Sequence, residues 1–262
     1  MNIPIFDSNC HPTIDGSWMG KSCNNSIFEY VKKSREANFI GACITALPNT
    51  KGWPREEHVS ECTKYNEFNL LPIAAIDPLI PNIHEEIKGL AKLGFRGVKI
   101  HPRLSNIIIN EHKELLIDIS KALSNANLTF HLCTYNHSKV NLWPTVDPLV
   151  TLAEILKLTP DTKYLLLHGG TVRLLEYAEL VRFNDNILLD LSYTINHWAE
   201  SSLDMDIRFL MKTLDQRICL GSDSPEFNPI DLRRRFEYLS DGLAINKLEN
   251  IAYKNIKTFF NI

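Results

Sequence analysis

The groups best suited to chemistry in this 262-residue chain are histidines and carboxylates that close short apolar runs. The clearest run lies within Arg217 to Pro229, RICLGSDSPEFNP. There Ile218, Cys219 and Leu220 are closed by Gly221, Ser222, Asp223 and Ser224 follow, and Pro225 forbids further strand. A carboxylate at the end of a buried strand is costly unless it meets a cation, a proton or several donors. Asp223 is therefore either a paired structural carboxylate or a working one. Other runs end similarly, with Asp7, Asn9 and His11, then Lys99 and His101, His131 and Cys133, His168, and finally Asp190 and Ser192. Members of one run are two apart and so share one face of a strand. If that face is inward, four strands send histidines toward a common mouth, a set of groups that suits a divalent transition metal. Any single histidine could equally be a satisfied core residue, and it is their co-location that argues for a functional cluster.

The elements that must position these groups alternate along the chain. Apolar runs at Ile3–Asp7, Phe39–Leu47, Leu70–Ile76, Phe95–Ile100, Leu128–Cys133, Tyr164–Leu167, Ile187–Leu191 and Ile218–Leu220 read as strands. Helical spacing follows each, over Ile27–Ala37, Arg55–Phe68, Ile83–Leu93, Glu111–Ala126, Thr151–Leu158 (or from Asp147-Pro148), Val172–Val181, Leu203–Leu214 and Leu232–Leu239. Gly94 is a helix stop. Eight strand-helix pairs, in a chain close to the ~250 residues typical of the fold, predict a single-domain (β/α)8 TIM barrel spanning residues 1–262. The Lys247–Phe260 tail is expected as further helix packed on the outside. A doubly wound sheet is disfavoured because no GxGxxG follows any strand.

Composition narrows the function. The chain is 44% hydrophobic and 23% charged, with a net charge of −3 scattered in both signs and no basic stripe, so nucleic acid is not an expected partner. No apolar run approaches the ~20 residues of a membrane span, and no signal peptide is visible. Six dispersed cysteines without a CxxC pair favour reduced thiols and a cytoplasmic location.

Together, FDSNCH, GFRGVKIHPR, TFHLCTY, LLLHGGT, CLGSDSPEF and the closing ENIAYKNIKTFF resemble the amidohydrolase superfamily. The resemblance is to its amidohydrolase 2 branch, which is similar to aminocarboxymuconate-semialdehyde decarboxylase. It implies one divalent metal ion, usually zinc, with His11, His131 and Asp223 as ligands and His168 beside them as catalytic acid/base. The family's first strand normally carries two histidines, and Asn9 stands where the first belongs. An amide oxygen is a poorer transition-metal ligand than an imidazole, although three protein ligands suffice for catalytic zinc. Lys99, which in other branches is carboxylated and bridges two metals, is expected here as an ammonium that pairs with a carboxylate such as Asp77 or Asp223 or binds a substrate anion. Cys133 is a candidate soft ligand or nucleophile beside the commoner role of an inert buried thiol.

The resemblance implies hydrolysis of an amide, lactone or ester by metal-activated water, with Asp223 taking the proton. Non-oxidative decarboxylation of a small unsaturated or aromatic acid is the alternative within the branch. Asn9 keeps open a metal-free lactonase using His168, Asp223, Lys99 and Arg103, and a barrel that only binds. The expected partner is a small, anionic molecule. Lys99, His101, Arg103, Trp143 and Arg173 are the candidate substrate contacts, and Trp18, Tyr135, His137, Lys139, His197 and Trp198 lie in nearby loops. Family members are often dimers, so a homodimer is the expected assembly.

Overall fold

The computed structural model of the chain describes residues 2–47, 50, 52–65, 67–135 and 146–262. It is the expected TIM barrel. Eight parallel strands, β1 (Ile5–Cys10), β4 (Phe39–Ala46), β5 (Asn69–Ala75), β6 (Gly97–Ile100), β7 (Thr129–Cys133), β8 (Tyr164–Leu167), β9 (Ile187–Asp190) and β10 (Ile218–Cys219), pair in that order. The seam between β10 and β1 is closed by backbone bonds, Ser8 N–H to Leu220 O at 2.8 Å and Asp223 N–H to Asn9 O at 2.9 Å.

Between the strands run α1 (Ile27–Glu36), α2 (Arg55–Thr63), α3 (Ile83–Leu93), α4 (Lys113–Asn125), α5 (Pro148–Leu158), α6 (Leu174–Val181), α8 (Leu203–Thr213) and α9 (Pro229–Leu239). Local chemistry sets their ends. Ser26 accepts from Glu29 N–H at the start of α1, Asp147 caps α5, Asn228 and Asp231 form a reciprocal capping box on α9, and Gly94 stops α3 at φ +99°. Two small elements lie outside the sequence expectation. They are a hairpin of β2 (Ser17–Trp18) and β3 (Lys21–Ser22), and the short α7 (Thr194–His197), both too brief to carry a periodic signal.

Strand β1 departs from simple alternation. Asp7 pairs with Ala42 but Cys10 with Ile44, so three steps on β1 match two on β4 and a bulge lies between them. Asp7, Asn9 and His11 therefore do not share one face. Asp7 turns to Tyr30 of α1 and to Ser222, whereas Asn9 and His11 turn into the mouth.

The C-terminal tail also differs from expectation. It runs from α10 (Ile245–Glu249) through a wider turn at Asn250–Lys254 into α11 (Asn255–Phe260), and its last turns plug the N-terminal end of the barrel instead of packing outside. Ile256, Phe259 and Phe260 are buried with the inward-facing Phe6, Cys43, Leu71, Ile73, Leu165, Leu167, Leu188 and Cys219. Burial of each large apolar side chain there contributes about 1.5–3 kcal/mol. The α11 carbonyls receive cations, Lys163 Nζ donating to Phe259 O at 2.9 Å and Arg96 to Phe260 O at 2.6 Å. Replacing Arg96 or Lys163 with alanine is expected to lower unfolding free energy by about 1 kcal/mol each. Urea titration of the two variants checks this, and unchanged midpoints would mean that the plug does not need its cap.

Candidate active site

The mouth of the barrel, at the C-terminal ends of the strands, is where this fold places chemistry. Three of its residues hold left-handed backbone without being glycine, His168 at φ +67°, Tyr193 at φ +62° and Asp223 at φ +56°. Such strain persists where surrounding structure fixes it, and it clusters at functional sites.

At the centre is the Lys99 ammonium, 1% exposed. Its Nζ donates to Asn9 Oδ1 at 3.1 Å and to His11 Nε2 at 3.1 Å, so among the described residues one N–H is left for the pocket. Burial pulls the Lys99 pKa down, and the charge of Asp223 opposes that. Asn9 Nδ2 donates to Asp223 Oδ1 at 2.7 Å and to Ser192 Oγ at 3.1 Å. His11 Nδ1 faces Thr45 O at 3.0 Å and must carry its proton there. Its Nε2 therefore accepts from Lys99, and the 3.3 Å approach of that nitrogen to Asp223 Oδ1 is no ion pair. Burial and then the Lys99 charge draw the His11 imidazole down to about 4, in accord with a neutral ring.

His168 has a different state. Its Nδ1 meets Ser192 O at 3.1 Å and Ser192 Oγ at 3.0 Å, while the single Ser192 hydroxyl proton is committed to Asp190. Both partners accept, so Nδ1 carries a proton and Nε2 is the remaining nitrogen. Asp190 is itself held by Ser8 Oγ at 2.9 Å and Ser192 N–H at 2.9 Å. Burial alone would lower the His168 pKa, but the charges of Cys133 and Asp223 outweigh it and raise it to about 9. Burial likewise pushes the Cys133 thiol up, and His101 and His168 reverse this to hold it well below the ordinary thiol range. Asp223, although buried, is held well below the usual carboxylate range by the charge of His168 and then that of Lys99.

Above this floor lies a cavity of about 210 Å³ lined by His11, Lys99, His101, Arg103, His168 and Asp223, with Trp18, Tyr135, Tyr193 and Glu226 among its walls. It suits a compound smaller than a typical drug. Trp18, from the hairpin, stacks on His11 with ring centres 5.5 Å apart, and Arg103 lies 4.9 Å over the Tyr135 ring. Lys99, Arg103 and His168 supply the cationic groups of its wall, and Asp223 and Glu226 the anionic ones. A larger cleft of about 720 Å³ flanks α11 at the opposite end of the barrel, away from all of these groups. Ser192, Tyr193 and Glu226 have roles at the mouth that sequence reasoning gave them only in part. Ser192 was visible as a strand-end polar residue, while Tyr193 and Glu226 carried no spacing signal.

Two expected site residues, His131 and Arg173, are not brought into the mouth, and neither is Trp198 of the nearby loops. His131 lies beneath it, fully buried, with Nε2 at 3.0 Å from Thr129 Oγ1 and its ring 5.9 Å from that of Phe260. Gly97 on the neighbouring strand makes this room, since a Cβ there would stand 3.0 Å from His131 Nε2. Arg173 is spent on the rim, bonded to both oxygens of Asp147 at 2.7 and 2.8 Å and to Glu176. Trp198 packs against the core edge-on to His197. Trp143, His137 and Lys139 lie outside the described residues.

The implied divalent metal does not fit this donor set. The Lys99 ammonium already places a positive charge against Asn9 and His11, and Asn9 turns its N–H groups to Asp223 and Ser192, with its carbonyl occupied by Lys99. His131 is turned away, and among the described residues no group of three His, Cys, Asp or Glu side chains could hold an ion. Of the implied ligands His11, His131 and Asp223, His11 and Asp223 line the cavity beside Lys99 and His131 does not.

No protein-family model matches the chain, and no curated protein matches it either. Solved structures do. An uncharacterised TIM-barrel protein from Bordetella bronchiseptica is 13% identical, with 98% of each chain covered and a TM-score of 0.77. A probable 2-pyrone-4,6-dicarboxylic acid hydrolase from Acinetobacter baumannii, with citric acid bound, is 16% identical over 100% of both chains at a TM-score of 0.70. The 5-carboxyvanillate decarboxylase of Sphingomonas paucimobilis is 10% identical over 99% of both chains at a TM-score of 0.71. At such identities the likeness establishes the barrel. The two named activities are a hydrolase and a decarboxylase, the two reaction classes that the amidohydrolase-like motifs imply.

Proposed function

We propose that this chain is a hydrolase of a small carboxylated lactone or ester that works without a metal. The observation that carries the reading is the Lys99 ammonium, seated 3.1 Å from both Asn9 Oδ1 and His11 Nε2 at the floor of a cavity it shares with Asp223. A fixed cation at that point does electrostatically what a Lewis acid would do, since it stabilises negative charge as it develops on an acyl oxygen.

The roles follow from the proton positions. Arg103 and His101, which line the cavity, receive the substrate carboxylate. Among the described residues both contacts to the Asp223 carboxylate fall on Oδ1, so Oδ2 is left to take a proton from the attacking water. The spare N–H of Lys99 meets the oxyanion. His168 gives its Nε2 proton to the departing oxygen as the carbon–oxygen bond breaks. Asp223 is a weak base while the charges of His168 and Lys99 hold its pKa down, and an anionic substrate that neutralises them raises its basicity as it binds. Flat walls from Trp18, Tyr135 and Tyr193 suit a planar, unsaturated substrate.

A panel of carboxylated lactones and esters, followed by acid release, tests the reading. Asp223→Asn is expected to lower kcat by roughly 10²–10⁴-fold, and chelator treatment is expected to leave kcat/KM unchanged. Loss of activity with chelator, restored by added zinc, would overturn the metal-free mechanism. Carbon dioxide release from aromatic acids with no ester or lactone hydrolysis would move the chain to the decarboxylases.

The pH profile supplies a second test. His168 must be protonated to act as the acid, so kcat/KM should be flat through neutrality and fall about tenfold per unit above an apparent pKa of about 9. The same group links to stability. Its folded pKa is raised from 6.5 to about 9, so its contribution is fully present below 6.5 and is lost as pH rises through about 9. An alkaline limb that persists unchanged in His168→Asn would assign the proton to another group.

A further inference from the structure

Asn9 breaks the family pattern, and its surroundings show why an amide is needed there. Its side chain meets three chemically different neighbours, the Lys99 ammonium at 3.1 Å, the Asp223 carboxylate at 2.7 Å and the Ser192 hydroxyl at 3.1 Å. The assignment of oxygen and nitrogen is forced, since a flipped amide would set its carbonyl against a carboxylate and its N–H groups against an ammonium. Ser192 Oγ must also receive a proton, because its own is given to Asp190. No other side chain of this length supplies one acceptor and two donors. Aspartate would oppose Asp223 at 2.7 Å, and a neutral imidazole has one donor and one acceptor.

We propose that Asn9 is a positioning residue that joins Lys99, Asp223 and Ser192 into one hydrogen-bonded unit, so that the resident cation, the base and the His168 support are set together. It is fully buried and absent from the cavity wall, so it acts through these partners and does not touch substrate. Through Ser192 it reaches His168 Nδ1 and Asp190, and through Asp223 Oδ1 it fixes which carboxylate oxygen faces the cavity. The bulge in β1 has a purpose in these terms, because it turns Asn9 inward next to an inward Ser8. This deepens the hydrolase reading and rests on it for the roles of Lys99, Asp223 and His168.

The test uses Asn9→Leu, Asn9→Asp and Asn9→His in the full chain. The Lys99 ammonium is followed by ¹⁵N-edited NMR, with its signal identified by its loss in Lys99→Met. The wild type should show a slowly exchanging ammonium signal that Asn9→Leu abolishes or shifts and Asn9→Asp retains. On a substrate from the panel, Asn9→Leu and Asn9→Asp should lower kcat roughly 10- to 100-fold, as loss of an orienting partner does elsewhere, with little change in KM. A merely structural role would leave both the ammonium signal and kcat of the folded protein in place. Asn9→His restores the family residue. It should also lose kcat, bind less than one equivalent of zinc by elemental analysis and gain nothing from added zinc. An Asn9→His protein that takes up one zinc with increased activity would overturn the proposal, because Asn9 would then be only a decayed ligand. If Asn9→Leu does not fold, Asn9→Asp, which matches the amide in shape, carries the kcat readout, and Asn9→His, whose imidazole cannot serve all three partners, carries the ammonium readout. If the wild type hydrolyses nothing on the panel, the hydrolase reading fails, while the ammonium signal and zinc content still decide the role of Asn9.

Discussion

A buried cation is the constraint on which the rest of the barrel mouth depends. Removing an ammonium from water costs several kcal/mol unless partners replace its hydration, and Lys99 is 1% exposed. Two of its protons are met by Asn9 and His11, and the charge of Asp223 stands close enough to oppose the desolvation. Burial and then the same cation keep His11 neutral, and that cation helps to keep Asp223 ionised. Protonation states that look independent in the sequence are thus tied to one group. Breaking such a set by removing one partner leaves an unpaired buried charge, which is far more costly than the set is worth as a whole.

A second tier of buried carboxylates holds the place where the barrel closes. Asp7 accepts from Tyr30 Oη at 2.8 Å, Ser222 N–H at 2.9 Å and Oγ at 2.5 Å, and Asn9 N–H at 3.1 Å, which ties β1 to α1 and to the segment after β10. Burial still pushes the Asp7 carboxyl up to about 7. Asp190 does the equivalent work on the other side of the seam, through Ser8 and Ser192. The mouth is therefore polar to its floor, although His101 Nδ1 has no hydrogen-bond partner among the described residues, while the opposite end of the barrel is apolar and plugged by α11. His131 marks the boundary between these two regimes. It is drawn to about 3 by burial and by Lys99, and its neutral ring packs on Phe260.

The sequence by itself determined the architecture and part of the membership of the mouth. Eight alternating units give the barrel because a parallel sheet covered by helices needs continuous apolar strands separated by amphipathic helices, and both periodicities were legible. Strand-end position placed Lys99, His101, His168 and Asp223 correctly, because side chains at the C-terminal ends of barrel strands face one cavity. Tertiary structure decided what spacing could not. A one-residue bulge in β1 turned Asn9 and His11 away from the face of Asp7, and the absent side chain of Gly97 let His131 sink out of the mouth. The tail was legible as helix but not as a plug, since apolar spacing does not say which surface it covers. Above all, whether Lys99, Asn9 and Asp223 hold a metal or hold one another depends on atoms meeting within about 3 Å from strands far apart in the chain, and only the closed barrel brings those atoms together.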